Sequence, residues 1–132
     1  AGKVYSSLIL PRTFILIGPN HTGLGAPVSV FSQGTWQMPQ GTVTVDETLA
    51  NQILERFPEA EADTQAHQSE HCLEVQLPFL QFLKNEVRIV PIVMMQSDLL
   101  TCQELGSAIA CRPTALAKFG HSAAVTVGSP WP

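Results

Sequence analysis

Gly18-Pro19-Asn20-His21 follows the apolar run Thr13-Phe14-Ile15-Leu16-Ile17. A buried strand that ends in Gly-Pro and delivers a histidine is how open α/β sheets build sites, because ligands bind beyond the carboxyl ends of the strands. An imidazole placed there can ligate a metal, move a proton or hold a substrate oxygen. Asn20 gives it a polar neighbour that can contact a cofactor. The plainer reading of the same residues is a loop histidine that hydrogen-bonds backbone.

A second group is Glu70-His71-x-x-Glu74. On a helix these spacings put Glu70, His71 and Glu74 near one face. A carboxylate beside an imidazole raises its basicity and fixes its tautomer, so His71 reads as an acid/base with Glu70 or Glu74 as its orienter. The plainer alternative is a solvated first helical turn, where acids favour the positive end of the dipole. His67-Gln-Ser-Glu70-His71 also matches the inverted zinc-protease pattern H-x-x-E-H. That chemistry needs both histidines on one helix, and Ser69 as an N-cap would leave His67 outside it. Cys72 can act as a nucleophile or soft ligand, but in an apolar helix it reads better as a small core residue. Trp36 and Met38 can line a pocket or pack as core. Cys102, Cys111 and His121 have no local constellation.

These residues need elements to hold them. Thr13–Ile17 reads as a buried strand bounded by Pro11 and Gly18-Pro19, and Val28–Phe31 as a second. Residues 1–8 read as the end of a helix, and the 34–41 stretch as an ordered loop. Asp46–Phe57 is a helix capped by Asp46, striped by Leu49, Ile53, Leu54 and Phe57, and stopped by Pro58. Residues 59–67 are acidic and irregular. Glu70–Leu83 is predicted to be a helix, kinked at Pro78 and apolar on so much of its surface that it is buried on more than one side. Val87–Met94 is a strand whose Pro91 argues for an edge or a bulge. Thr101-x-x-Glu104 is a capping box opening a helix to about Ala110. Ala123–Val127 fits a last strand before a Gly-Ser-Pro-Trp-Pro tail. The alternation predicts an α/β fold, a central mostly parallel or mixed sheet flanked by helices, in one domain.

The 132 residues suffice for a single core. They are 45% hydrophobic and 14% charged, so some apolar surface is expected to be covered by a partner, with a homo-oligomer as one form, or by missing chain. The net charge is −4 and the seven Lys and Arg form no cluster, which excludes nucleic acid as a partner. No run is long enough for a membrane span. Three scattered cysteines, with no visible signal peptide, favour a reducing, cytoplasmic setting. The chain opens at Ala1 without Met, as expected of a processed protein or a piece of a longer one.

Two blocks carry a resemblance. Phe14-Ile-Leu-Ile-Gly-Pro-Asn-His21 with the Trp36-x-x-Pro39-x-Gly41 loop is one. Asp63-x-x-x-His67 leading into Glu70-His71-x-Leu-Glu-Val-Gln-Leu-Pro-Phe-Leu80 is the other. Together with Ile89-Val-Pro-Ile-Val93 they resemble the MEMO-like proteins, also called AmmeMemoRadiSam system protein B, over about Val4 to Ala110. That family is similar in fold to class III extradiol dioxygenases. The resemblance implies a metal-site cleft at the strand ends that takes iron or copper. It implies a metal-ligand role for His21, and places Glu70 and His71 in the same cleft, with His67 a looser match. The implied activity is that of a metal-dependent, dioxygenase-like oxidoreductase. The alternative is a non-catalytic adaptor that binds a peptide or small molecule.

Departures temper that implication. Family members carry an earlier Pro-His-Ala-Gly segment, a later cleft cysteine and a Ser-Ser-Asp-Phe-x-His-type strand end. None has a counterpart among these residues, and Cys111–Pro132 does not match that strand. The chain is therefore expected to be a truncated or frame-altered member with an incomplete, weakly metal-binding and inactive site.

Overall fold

The computed structural model describes residues 11–110 and the strand at 123–127. Among the described residues seven strands form one mixed sheet: β1 (Thr13–Pro19), β2 (Val28–Val30), β3 (Thr35–Met38), β4 (Gly41–Val45), β5 (Ala60–Ala62), β6 (Arg88–Met94) and β7 (Ala123–Val127). The main path runs β3-β4-β6-β1-β7. β1 lies parallel to both β6 and β7, and β4 lies parallel to β6. β2 pairs antiparallel with β6 and parallel with β5. The architecture is α/β with helices against a central sheet, as the alternation of elements predicts.

β1 is apolar along its length because both its faces are covered, which is what parallel strands require. Phe14 and Leu16 join one buried cluster with Val45, Leu73, Leu77, Leu80, Ile89 and Val93. Ile15 points the other way, into a cluster with Val28, Val30, Ile53, Phe57, Val90, Ile92 and Leu105. Helices α1 (Glu47–Arg56) and α3 (Leu99–Ala110) supply residues to the second cluster, and α2 (Leu77–Leu83) to the first.

α1 is capped as expected: the Leu49 N–H donates to Asp46 Oδ1 at 3.2 Å. Asp46 Oδ2 also accepts from Thr13 Oγ1 at 2.7 Å, which ties the cap to the start of β1.

Several expectations are corrected. The stretch from 34 to 41 is no loop: β3 and β4 form a hairpin about Pro39-Gln40, with Met38 paired to Gly41. Gly41 has φ +115°, a conformation that suits glycine. The irregular acidic stretch contains β5 and a 3₁₀ turn at Gln65–His67. Pro91 lies inside the sheet, opposite Leu16 of β1. Its carbonyl accepts from Phe31 N–H at 3.0 Å, on the side where β6 changes partner from β4 to β2. A residue's N–H and C=O point to the same side of a strand, so the missing donor falls at that change and breaks no ladder bond.

The helix expected over Glu70–Leu83 starts only at Leu77, after a 3₁₀ turn at Glu74–Gln76. Pro78 cannot sit four residues inside a helix, because its ring would meet the carbonyl of Glu74. It occupies the first turn instead, where no N–H is needed. Only one side of this segment is buried. Leu73, Leu77 and Leu80 are in the core, whereas Val75, Phe79 and Phe82 are exposed. α3 begins at Leu99, not Thr101; Asp98 Oδ1 accepts from Thr101 N–H at 2.8 Å, so Asp98 is the cap and Thr101 lies inside the first turn.

Candidate functional site

The end of β1 and the turn before the Glu74 3₁₀ helix meet at Gly18. A Cβ there would stand 2.6 Å from Cys72 Sγ and 2.8 Å from Leu73 Cδ2. Glycine therefore lets the 70–73 turn press against the strand end. Asn20 continues the strand's bonding, its N–H donating to Met94 O at 2.6 Å. Its side chain folds the following loop: Oδ1 accepts from Thr22 and Gly23 N–H and from Thr22 Oγ1, and Nδ2 donates to Leu24 O. Asn20 shapes the loop that presents His21.

Glu70 is the centre of the site. Its side chain is 5% exposed, yet its oxygens are fully used. Oε2 accepts from His21 N–H at 2.6 Å, and Oε1 accepts from His71 N–H at 2.9 Å and Cys72 N–H at 3.0 Å. His21 Nδ1 lies 3.1 and 3.2 Å from the two oxygens. Burial pushes the Glu70 carboxyl up, but these donors outweigh it and bring it down to about 2. An ionised carboxylate only accepts, so His21 Nδ1 carries the hydrogen. When the ring is neutral, Nε2 keeps its lone pair. Carboxylate-bound imidazoles of this kind make well-oriented ligands or bases. The His21 side chain is 65% exposed, so that nitrogen faces outward from the pair.

His71 is brought to Glu74, its Nδ1 3.2 Å from Oε2 on the surface. The carboxylates thus divide: Glu70 orients His21, and Glu74 pairs with His71. The expected single helical face does not form, because Glu70 lies between the 3₁₀ turns at Gln65–His67 and Glu74–Gln76 and belongs to neither. Cys72 donates to Pro19 O at 3.2 Å, and burial with the Glu70 charge pushes its thiol up to about 12. A thiol so rarely ionised is no nucleophile.

His67 lies in a 3₁₀ turn, which removes the one-helix geometry that a zinc protease needs. Only 8% of it is exposed, and neither ring nitrogen has a hydrogen-bond partner among the described residues. Burial lowers its pKa, against the opposing influence of the Ser29 backbone and the Asp63 and Glu70 charges. Its ring packs edge-to-face with Phe31 at 5.5 Å and Trp36 at 6.0 Å. These residues, with Met38, Glu70 and Glu74, line a cleft of about 430 Å³. His21 and His71 are not among its lining residues, so Glu70 alone joins the cleft to the His21 pair. Phe31 goes unrecognised in the sequence. The alternation of Val43 and Val45 with Thr42 and Thr44 is the missed signal, since it marks the hairpin that sets Trp36 and Met38 on one face.

Iron or copper is not accommodated by these residues alone. Among the described residues, no three His, Cys, Asp or Glu side chains gather closely enough to hold an ion. His21 offers one well-oriented nitrogen.

Comparison with known proteins gives a consistent assignment. The profile of the Memo-like protein family matches residues 1–115. A MEMO1 family protein of Pyrobaculum aerophilum is 45% identical over 132 aligned residues, covering 98% of this chain and 46% of its own length. MEMO1 family proteins of Methanobrevibacter smithii and Thermotoga maritima are 48% and 47% identical, over 75% and 76% of this chain and 35% and 36% of their own. The chain spans less than half the length of these curated relatives. Among the described residues, no helix is long and apolar enough to cross a membrane.

Proposed function

The chain belongs to the Memo-like family, and from that premise we propose that it supplies one oriented imidazole, His21, to a metal-site cleft of the dioxygenase-like class. The observation that carries this reading is the buried, ionised Glu70 holding both the backbone and Nδ1 of His21. That arrangement spends a desolvated carboxylate on aiming one ring, which is how ligating histidines are oriented. His71, paired with Glu74, is the acid/base of the proposal, a surface imidazole able to hold or move a proton at Nε2. Because the described residues offer one aimed nitrogen, the chain by itself binds iron or copper weakly.

Anaerobic titration with Fe(II), followed by desalting and metal analysis, tests this. The expected result is substoichiometric iron, reduced further in His21→Ala. Stoichiometric iron that survives desalting in both wild type and His21→Ala would refute the role of His21.

A specific observation favours a second reading, a ligand-binding module. The cleft beside Glu70 has aromatic walls, Phe31 and Trp36, packed on the buried His67 ring. A peptide or small molecule held there would give an adaptor function without turnover.

A further inference from the structure

Strand β3 ends the main path of the sheet, and among the described residues it pairs with β4 alone. Its register fixes which main-chain groups stay open. Thr35 stands opposite Thr44 and Trp36 opposite Val43. The Val45 N–H donates to Gly34 O at 3.0 Å, so the pair just before the strand is a hydrogen-bonded one. Bonded and non-bonded pairs alternate along an antiparallel ladder. Trp36 and Met38 therefore spend their main-chain groups on β4. Thr35 and Gln37 turn theirs outward, to an edge with no partner among the described residues. Charge, proline or a bulge commonly guards such an edge against further strands. Edge strand β5 carries Glu61, whereas β3, Thr-Trp-Gln-Met in unbroken register, has none of these guards.

The cleft of about 430 Å³ lies along this edge. Trp36, Gln37 and Met38 all line it. Successive side chains of a strand point to opposite faces, so lining residues from both faces place the cleft against the strand's rim. The Gln37 side chain is turned to Thr42, whose Oγ1 donates to its Oε1 at 3.1 Å. Glu70 and Glu74 also line the cleft, with no Lys or Arg among the described lining residues. Glu70 is saturated by its donors and Glu74 is shared with His71, so neither is a specific contact. Their sign, with the net charge of −4, disfavours an acidic partner.

We infer that β3 takes an extended, non-acidic peptide as an added antiparallel strand. Two of its residues exchange main-chain hydrogen bonds with Thr35 and Gln37. The residue between them stands opposite Trp36 and puts a large apolar side chain into the cleft, beside Trp36 and Met38. Recognition is by polar–apolar–polar spacing. The inference rests on the ligand-binding reading and requires no metal at His21.

The probe is acetyl-Lys-Thr-Leu-Thr-Lys-amide, titrated into the full chain in EDTA. NMR follows the Thr35 and Gln37 amides and the Trp36 indole N–H. All three signals are expected to shift saturably, and the two amides to gain protection from hydrogen exchange. N-methylation of both peptide threonines removes the N–H groups aimed at β3 and is expected to weaken binding about tenfold. N-methylation of the leucine, whose N–H points away, is expected to leave it nearly unchanged. Glu in place of both Lys, or Ala in place of Leu, is expected to weaken it. Equal effects of the two methylations would overturn the added strand. A shift at Trp36 with the two amides unprotected would overturn it while leaving a ligand cleft. Amides already protected without peptide would assign the edge to this chain itself, or to a second copy where protection grows with protein concentration, and would overturn the inference. No saturable shift at any of the three signals would overturn it outright.

Discussion

Glu70 and His67 are two buried polar side chains with opposite circumstances. Glu70 has more donors than oxygens, whereas among the described residues the ring nitrogens of His67 meet no well-aligned hydrogen-bond partner. Both differences are stability statements. Glu70 falls from 4.5 to about 2 on folding, so its contribution is complete above pH 4.5 and is lost as pH drops toward 2. At 1.36 kcal/mol per pKa unit this amounts to roughly 3 kcal/mol. His67 is a base whose pKa is lowered from 6.5 by burial. Below pH 6.5 the unfolded chain takes up its proton first, so folding weakens as pH falls from there. Urea midpoints are therefore expected to decline in two stages between pH 7 and 3. His67→Phe, which keeps a ring beside Phe31 and Trp36, should flatten the first stage, and Glu70→Gln the second. Midpoints that stay level from pH 7 to 5 in wild type would contradict the buried neutral imidazole.

At the scale of elements, strong apolar runs were legible and interruptions were not. β1, β6 and α1 stand near their expected places because each is a bounded run of one periodicity. The β3–β4 hairpin was hidden by its turn residues, since Pro39 and Gly41 read as loop while Val43 and Val45 carried the period-2 signal. The missed half of the Glu70 helix has a local cause in Pro78 and a nonlocal one: Glu70 bonds across the fold to His21, which no spacing within 70–83 reveals. Pro91 was misplaced because the change of partner along β6 exists only once β2 and β4 have docked. Asp46 is a case where local and nonlocal roles coincide. Removing it in Asp46→Ala loses both the α1 cap and the Thr13 bond, and is expected to cost about 1–2 kcal/mol in denaturant unfolding. A change within a few tenths of neutrality would show that the cap is replaced by water.

Over the whole molecule, a sheet covered on both faces fixes β1 so firmly that the loop after it can be aimed. The Gly-Pro-Asn-His block was readable as a candidate site because it follows that strand. The partner that aims it was readable only as a residue type, since Glu70 reaches His21 through the close approach at Gly18. Family membership and the matched length agree that the described residues form part of a larger architecture in the relatives. In the proposal this chain contributes the aimed His21 ring, whose protonation pattern is directly measurable. Long-range ¹H–¹⁵N NMR of the His21 imidazole at neutral pH should show hydrogen on Nδ1 and a lone pair on Nε2 in the neutral ring. Glu70→Gln, followed by the same spectrum, should convert this to the tautomer mixture of a free histidine. A His21 ring already in the free-histidine mixture in wild type, or unchanged by Glu70→Gln, would contradict the account.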